Sequence, residues 1–191
     1  MFARTVRPAV SLLLVMTLLT GIVYPVLVTV VARLAFPAQA AGSLIMREGK
    51  PIGSRLIGQS FTDPKYFWGR PSATTPQPYN GTASSGSNLG PLNPALIDAV
   101  KGYANALRDA DPGNRSPIPV DLVTASASGL DPEISMAGAR FQAARVARAR
   151  HLPPAQVETL IGAHEQGRLL GFIGEPRVNV LELNLALDSL P

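Results

Sequence analysis

Few groups in this chain are suited to chemistry: the two histidines, His151 and His164, and the serines Ser126 and Ser128, which precede Asp131. Two imidazoles thirteen positions apart make a poor metal site without carboxylates to complete the shell, so both histidines read as structural or surface residues. A serine nucleophile needs a base within hydrogen-bond reach. Neither histidine nor lysine lies near Ser126 or Ser128 in sequence, and A-S-A-S-G-L-D-P reads more simply as a turn and a cap. The phosphate-binding patterns G-x-x-x-x-G-K-[ST] and G-x-G-x-x-G are missing, as are H-E-x-x-H, G-x-S-x-G and S-x-x-K. With no cysteine, the chain has no disulfide, thiolate zinc site, thiol catalysis or cysteine-linked lipid. It therefore reads as an accessory or scaffold subunit rather than an enzyme in its own right.

The elements that would position such a subunit begin with a membrane segment. Pro8 to Ala32 is a run of 25 residues without a charge, about 37 Å of helix at 1.5 Å per residue, against a bilayer core of about 30 Å. A cleaved signal peptide competes, because Ala38-Gln39-Ala40 resembles a cleavage site, but its apolar region would span only about 7 to 15 residues; a retained anchor is the favoured reading. Arg4 and Arg7 precede the run and only Arg33 follows closely, which places the N-terminus in the cytoplasm by the positive-inside rule. Residues 1–36 are thus expected to be the cytoplasmic N-terminus and transmembrane helix, and residues 37–191 an extracytoplasmic, periplasmic domain. Pro25 removes the amide that would bond Gly21, so a local kink is expected. Thr17, Thr20, Gly21, Tyr24 and Pro25 form a small or hydroxylated stripe suited to packing against another membrane helix, with a plain lipid-facing anchor as the alternative.

The fold class expected is α+β: the N-terminal helix followed by a single mixed α/β domain. Ser43–Met46 and Ile52–Ile57 read as a hairpin, and Tyr66-Phe67-Trp68 as a further extended stretch with a core role. Residues 70–91 form a Gly-, Pro-, Ser- and Asn-rich loop, and its Tyr79, Asn80, Ser85, Ser87 and Asn88 are candidates for partner contact, against a merely structural role. Asn93 should cap a helix with Pro94 in its first turn and Leu96, Val100, Tyr103 and Leu107 as its stripe. Leu122-Val123-Thr124 reads as a short strand. Asp131 is expected to cap a helix running to Arg150, burying Met136, Ala139, Ala143, Val146 and Ala147 and spreading Arg140, Arg145 and Arg148 over a solvated face, with docking to an acidic partner as the minority option. Pro153-Pro154 should restart a shorter helix with Val157, Leu160, Ile161 and His164 on one side, closed by Gly167. Residues 178–185 read as a final strand.

The sequence pI of about 9.9 does not point to nucleic acid. Three of the 17 basic residues flank the membrane run, and the 14 that remain are nearly balanced by 13 acidic ones, whereas phosphate recognition needs a basic face.

Several segments resemble one family. T-G-I-V-Y-P-V-L-V-T, G-S-R-L-I-G-Q-S-F, Y-F-W-G-R-P-S-A, G-S-N-L-G-P, D-L-V-T-A-S-A-S-G-L-D-P-E-I-S, R-V-A-R-A-R and G-E-P-R-V-N-V-L-E-L-N-L-A-L-D occur in that order over nearly the whole chain. The chain resembles the C subunit of Kdp-type potassium-transporting ATPases, departing at Ala127, where that pattern has glycine, and at Ala41, where it commonly has asparagine. The resemblance implies an accessory subunit of a high-affinity, ATP-driven potassium uptake complex in the inner membrane. Its partners would be a potassium-selecting channel-like subunit, an ATP-hydrolysing P-type subunit and a small one-helix subunit. It also implies a catalytic chaperone that raises ATP affinity, ATP and potassium being handled by the complex and no cofactor held stably by this chain. D-K-T-G-T, the phosphorylation motif of P-type pumps, is missing. With the domain outside the cytoplasm, an effect on ATP affinity would have to travel through partner subunits. Two rival expectations are a free-standing periplasmic hydrolase using Ser126 or Ser128, and a solute-binding module built on the polar loop.

Overall fold

Two asparagines and a serine set where three of the helices beyond residue 45 begin. In the computed structural model, which describes residues 2–190, Asn93 Oδ1 accepts from the Ala95 amide, Ser135 Oγ from Gly138 and Asn179 Oδ1 from Glu182. Each satisfies a donor that the first helical turn would leave orphaned. The chain divides into two units, residues 1–44 and 45–191.

The first unit is helical. Helix α1 (Phe2–Leu18) runs through a π-helical turn (Leu19–Val23) into α2 (Tyr24–Ala35), and a short α3 (Pro37–Ala40) follows. Residues Arg4–Ala35 are long and apolar enough to cross a membrane, with a mean hydropathy of 2.3 in their most apolar stretch and none of that stretch buried. Where a kink was expected at Gly21 and Pro25, the described interruption is the π turn.

The second unit starts with the expected hairpin, β1 (Leu44–Arg47) paired with β2 (Lys50–Ser54). Glu48 and Gly49, at φ 52° and 75°, are the two central turn residues, the both-positive geometry that matches strand twist in tight hairpins. Helix α4 (Pro94–Ala110) buries Leu107 and half-buries Leu96 and Val100, whereas Tyr103 stays 41% exposed. A second two-stranded antiparallel sheet pairs β3 (Glu133–Ser135) with β4 (Arg177–Asn179), Ile134 facing Val178 in register. Around it lie α5 (Met136–Arg150), α6 (Pro154–Ala163) and α7 (Val180–Asp188). The core gathers Phe67, Leu122, Ile134, Val146, Val157, Ile161, Val178 and Leu183. The chain is thus mixed helix and strand, as expected.

Several expectations are corrected. Residues 178–185 are not one strand: pairing ends at Asn179, whose side chain caps α7. The buried Val180, Leu183, Asn184 and Leu187 recur at the helical spacing of three and four, so a 3.6-residue period was concealed behind a short alternation. Helix α5 starts at Met136 rather than next to Asp131, because Asp131 Oδ1 accepts from the Glu133 amide in a local turn and β3 intervenes. Asp121 accepts from both the amide and hydroxyl of Ser135, which sets that cap. Val120–Leu122 forms a 3-10 turn where a strand was expected. His164, not Gly167, ends α6.

On α5 the expected apolar face is buried, but the opposite face is not wholly solvated: Arg145 is 3% exposed. Its guanidinium donates to the Pro64 carbonyl at 2.5 Å, to Tyr66 O at 3.1 Å and to Gln142 Oε1 at 2.6 Å, and lies 4.5 Å from the Trp68 ring centre. Burial brings its pKa down to about 10.

Candidate partner-contact sites

The helix stripe is fully on the surface. Thr17, Thr20, Gly21, Tyr24 and Pro25 are all exposed, and a Cβ added at Gly21 would meet nothing within 4 Å. Within the π turn, the Tyr24 amide donates to Leu19 O, one residue further back than in an α-helix. The Thr20 carbonyl thereby loses its usual donor, and the next residue in line, Pro25, has no N–H to replace it. The Thr20 hydroxyl is committed elsewhere, donating to Met16 O at 2.7 Å. In hydrocarbon a carbonyl without a donor costs several kcal/mol, so a donor from outside the helix is favoured at this point.

The polar loop divides into two parts. Tyr79 and Asn80 turn inward, and Ser85, Ser87 and Asn88 are exposed. The Tyr79 hydroxyl donates to Arg70 O at 2.5 Å and its amide to Ser72 Oγ at 2.9 Å, while Ser72 Oγ donates to Gly129 O at 2.6 Å. Thr74 Oγ1 donates to Gln77 O and accepts from the Asn80 amide. Burial, with the Asp131 carboxylate near it, pushes the Tyr79 phenol up to about 12. Further along, the amide of Ser85 and the hydroxyl of Ser84 both donate to Ser128 O. Close approach here depends on glycine: a Cβ at Gly58 would run into the Tyr79 ring and come within 2.9 Å of Asp131 O. One at Gly86 would lie 2.7 Å from Ala127 O.

Ser126 and Ser128 are turn residues in this arrangement. Ser126 is buried and its Oγ accepts from the Gly129 amide at 2.9 Å, while Ser128 Oγ accepts from Leu130 at 3.1 Å. His151 sits at the left-handed residue that ends α5, at φ 56°, and His164 at the end of α6, its Nδ1 2.9 Å from Leu160 O. Among the described residues no group of three or more His, Asp or Glu could hold a metal ion.

Sequence reasoning missed the residues that hold the Y-F-W stretch. Where an extended stretch was expected, Tyr66 closes a turn on Asp63 O and no strand is formed; two side-chain carboxamides pair with the backbone of Phe67 and Trp68. Asn184 Oδ1 accepts from the Phe67 amide at 2.8 Å and its Nδ2 donates to Phe67 O at 2.9 Å. Gln142 treats Trp68 the same way, at 2.8 and 3.0 Å. A Gln and an Asn on the apolar faces of two helices were the available signal. Trp68, Arg70, Tyr79 and Tyr103 line a mostly apolar cleft of about 400 Å³.

An exposed apolar helix of membrane-spanning length is thus joined in sequence to a small mixed α/β unit in which Ser126, Ser128, His151 and His164 sit at turns and helix ends. The family model for the K+-transporting ATPase c chain matches residues 6–189. The chain is 67% identical over 184 residues to a potassium-transporting ATPase KdpC subunit of Polaromonas naphthalenivorans, covering 96% of this chain and 94% of that one. It is 65% identical over 186 residues to the corresponding protein of Variovorax paradoxus, covering 97% and 96%. The chain belongs to the KdpC family, the c chain of K+-transporting ATPases. The two departures noted in the sequence, Ala41 and Ala127, are both exposed, and neither has a positive φ.

Proposed function

We propose that this chain is the non-catalytic accessory subunit of an ATP-driven potassium uptake complex. Its helix docks against the membrane helices of the channel-like and ATP-hydrolysing subunits, and its folded unit lies on the side away from the cytoplasm. Family membership supports the potassium pump. The charge bias of Arg4 and Arg7 against Arg33 supports the orientation. The observation that carries the docking is the Thr20 carbonyl, released by the π turn on a helix with no buried face. ATP affinity of the hydrolysing subunit then rises through contacts between subunits and not through a nucleotide site on this chain.

Leucine in place of Gly21 would fill the surface a partner helix must approach, and alanine in place of Pro25 would return a donor to the helix. Both variants are expected to reduce co-purification of this chain with the other subunits in detergent. Normal co-purification of both would refute docking at this stripe. Protease accessibility in intact spheroplasts decides the orientation, with cleavage of residues 45–191 expected from outside. For the chaperone role, the complex lacking this chain should need more ATP for half-maximal hydrolysis while still forming its phosphoenzyme.

A further inference from the structure

Residues 165–177 form a hairpin whose tip is apolar and uncovered. Leu169, Leu170, Phe172 and Ile173 are 66, 76, 72 and 47% exposed, so four of the five residues from 169 to 173 offer large apolar side chains to the surroundings. A contiguous patch of this kind on a folded unit marks a contact surface.

The tip is also held in place. The Leu169 amide donates to Ile173 O at 2.9 Å and the Ile173 amide to Leu169 O at 3.0 Å, and the Gln166 and Arg177 backbones pair with each other below. Leu170 is kept at φ 54° and Gly171 at 82°. Positive φ is uncommon for a bulky residue and has an energetic cost; here it accompanies a Leu170 side chain left on the surface. The two arginines of the hairpin are paired, Arg168 with Glu175 at 2.8 Å and Arg177 with Glu133 at 2.5 Å.

From these features we infer that the hairpin tip inserts into the lipid surface of the membrane that the N-terminal helix crosses. This rests on the reading of that helix as a span and goes beyond the role in the pump. Residues 36–44 connect the helix to the folded unit, and nine residues reach at most about 30 Å. A domain of this length has a radius of gyration of about 15 Å, so a connection this short keeps the folded unit within reach of the bilayer. A convex knob of Leu, Phe and Ile needs no shaped receptor in lipid, and Phe at such a tip suits the interfacial zone. Because the basic residues at the base are already paired, the apolar side chains drive the contact.

The test uses the full chain in phosphatidylcholine vesicles carrying bromine on the acyl chains near the headgroup. A Phe172→Trp variant is read against the native chain, whose single tryptophan is Trp68. Insertion predicts a blue-shifted added emission that bromine quenches, equally in vesicles with and without phosphatidylglycerol and equally in high salt. It also predicts that adding Leu169→Ser and Leu170→Ser to that variant moves the emission to longer wavelength and relieves quenching while far-ultraviolet circular dichroism is unchanged. An unquenched, water-like emission from vesicles that co-float with the chain overturns the proposal while leaving the span intact; chain that fails to co-float removes the span as well. Quenching that needs anionic lipid overturns the apolar contact. A blue shift without bromine quenching, seen only in the assembled complex, assigns the tip to a partner protein and overturns it too.

Discussion

The loop of residues 70–91 and the hairpin of residues 165–177 are both long connections with little regular structure, and they use their side chains in opposite directions. The first is polar and ties itself down: Ser72, Thr74, Tyr79 and Asn80 each bond a neighbouring stretch of backbone, and Ser85 reaches across to Ser128. The second is apolar and holds four large side chains away from the core. Its shape comes from a few main-chain bonds and three residues at positive φ, Leu170, Gly171 and Gly174. A polar side chain can thus be structural because backbone groups nearby need partners. An apolar one can be exposed where a tight turn decides its direction. The segment of residues 64–68 just before the polar loop extends the contrast, since it is held almost wholly by side-chain hydrogen bonds.

If this contrast holds, substitutions in and under residues 64–80 should be costly and those at the hairpin tip nearly silent. Arg145→Met should have the largest effect, about 3 to 5 kcal/mol, because it leaves the carbonyls of Pro64 and Tyr66 without donors in a buried setting; chemical denaturation of the full chain in detergent measures it. Gln142→Leu, which strips both backbone groups of Trp68 of their partner, should cost about 2 to 4 kcal/mol in the same assay.

Next comes pH. The Tyr79 phenol has its folded pKa raised from 10 to about 12, so the neutral form is the one the fold favours. The stabilisation is complete below pH 10 and is lost as pH rises through 12, amounting to about 3 kcal/mol at most. Ultraviolet titration should show late ionisation that Tyr79→Phe removes. The smallest effect belongs to Leu170→Ser, within about 0.5 kcal/mol of the native chain. A large loss there would mean that the hairpin tip is core after all.

Much of the architecture was legible because its signals are local. The uncharged run of residues 8–32, the hairpin turn at Glu48-Gly49, the Asn93-Pro94 start and the end of α5 at Arg150 each depend on a few neighbouring residues. What was not legible depends on distant partners. Whether residues 180–185 extend β4 or begin α7 is decided by the Asn179 cap and by burial at helical spacing, and A-R-V-A-R looks like a solvated face until Pro64 and Tyr66 are brought against it. Of the loop residues singled out for partner contact, Tyr79 and Asn80 turn inward, while Ser85, Ser87 and Asn88 stay exposed.

The pairing of Gln142 with Trp68 and of Asn184 with Phe67 fixes two consecutive residues from two different helices. Sliding by a single position would exchange a wholly buried phenylalanine for an indole that rests on a guanidinium, so the two carboxamides set the register of the whole segment that Arg145 and Arg150 hold at Pro64, Lys65 and Tyr66.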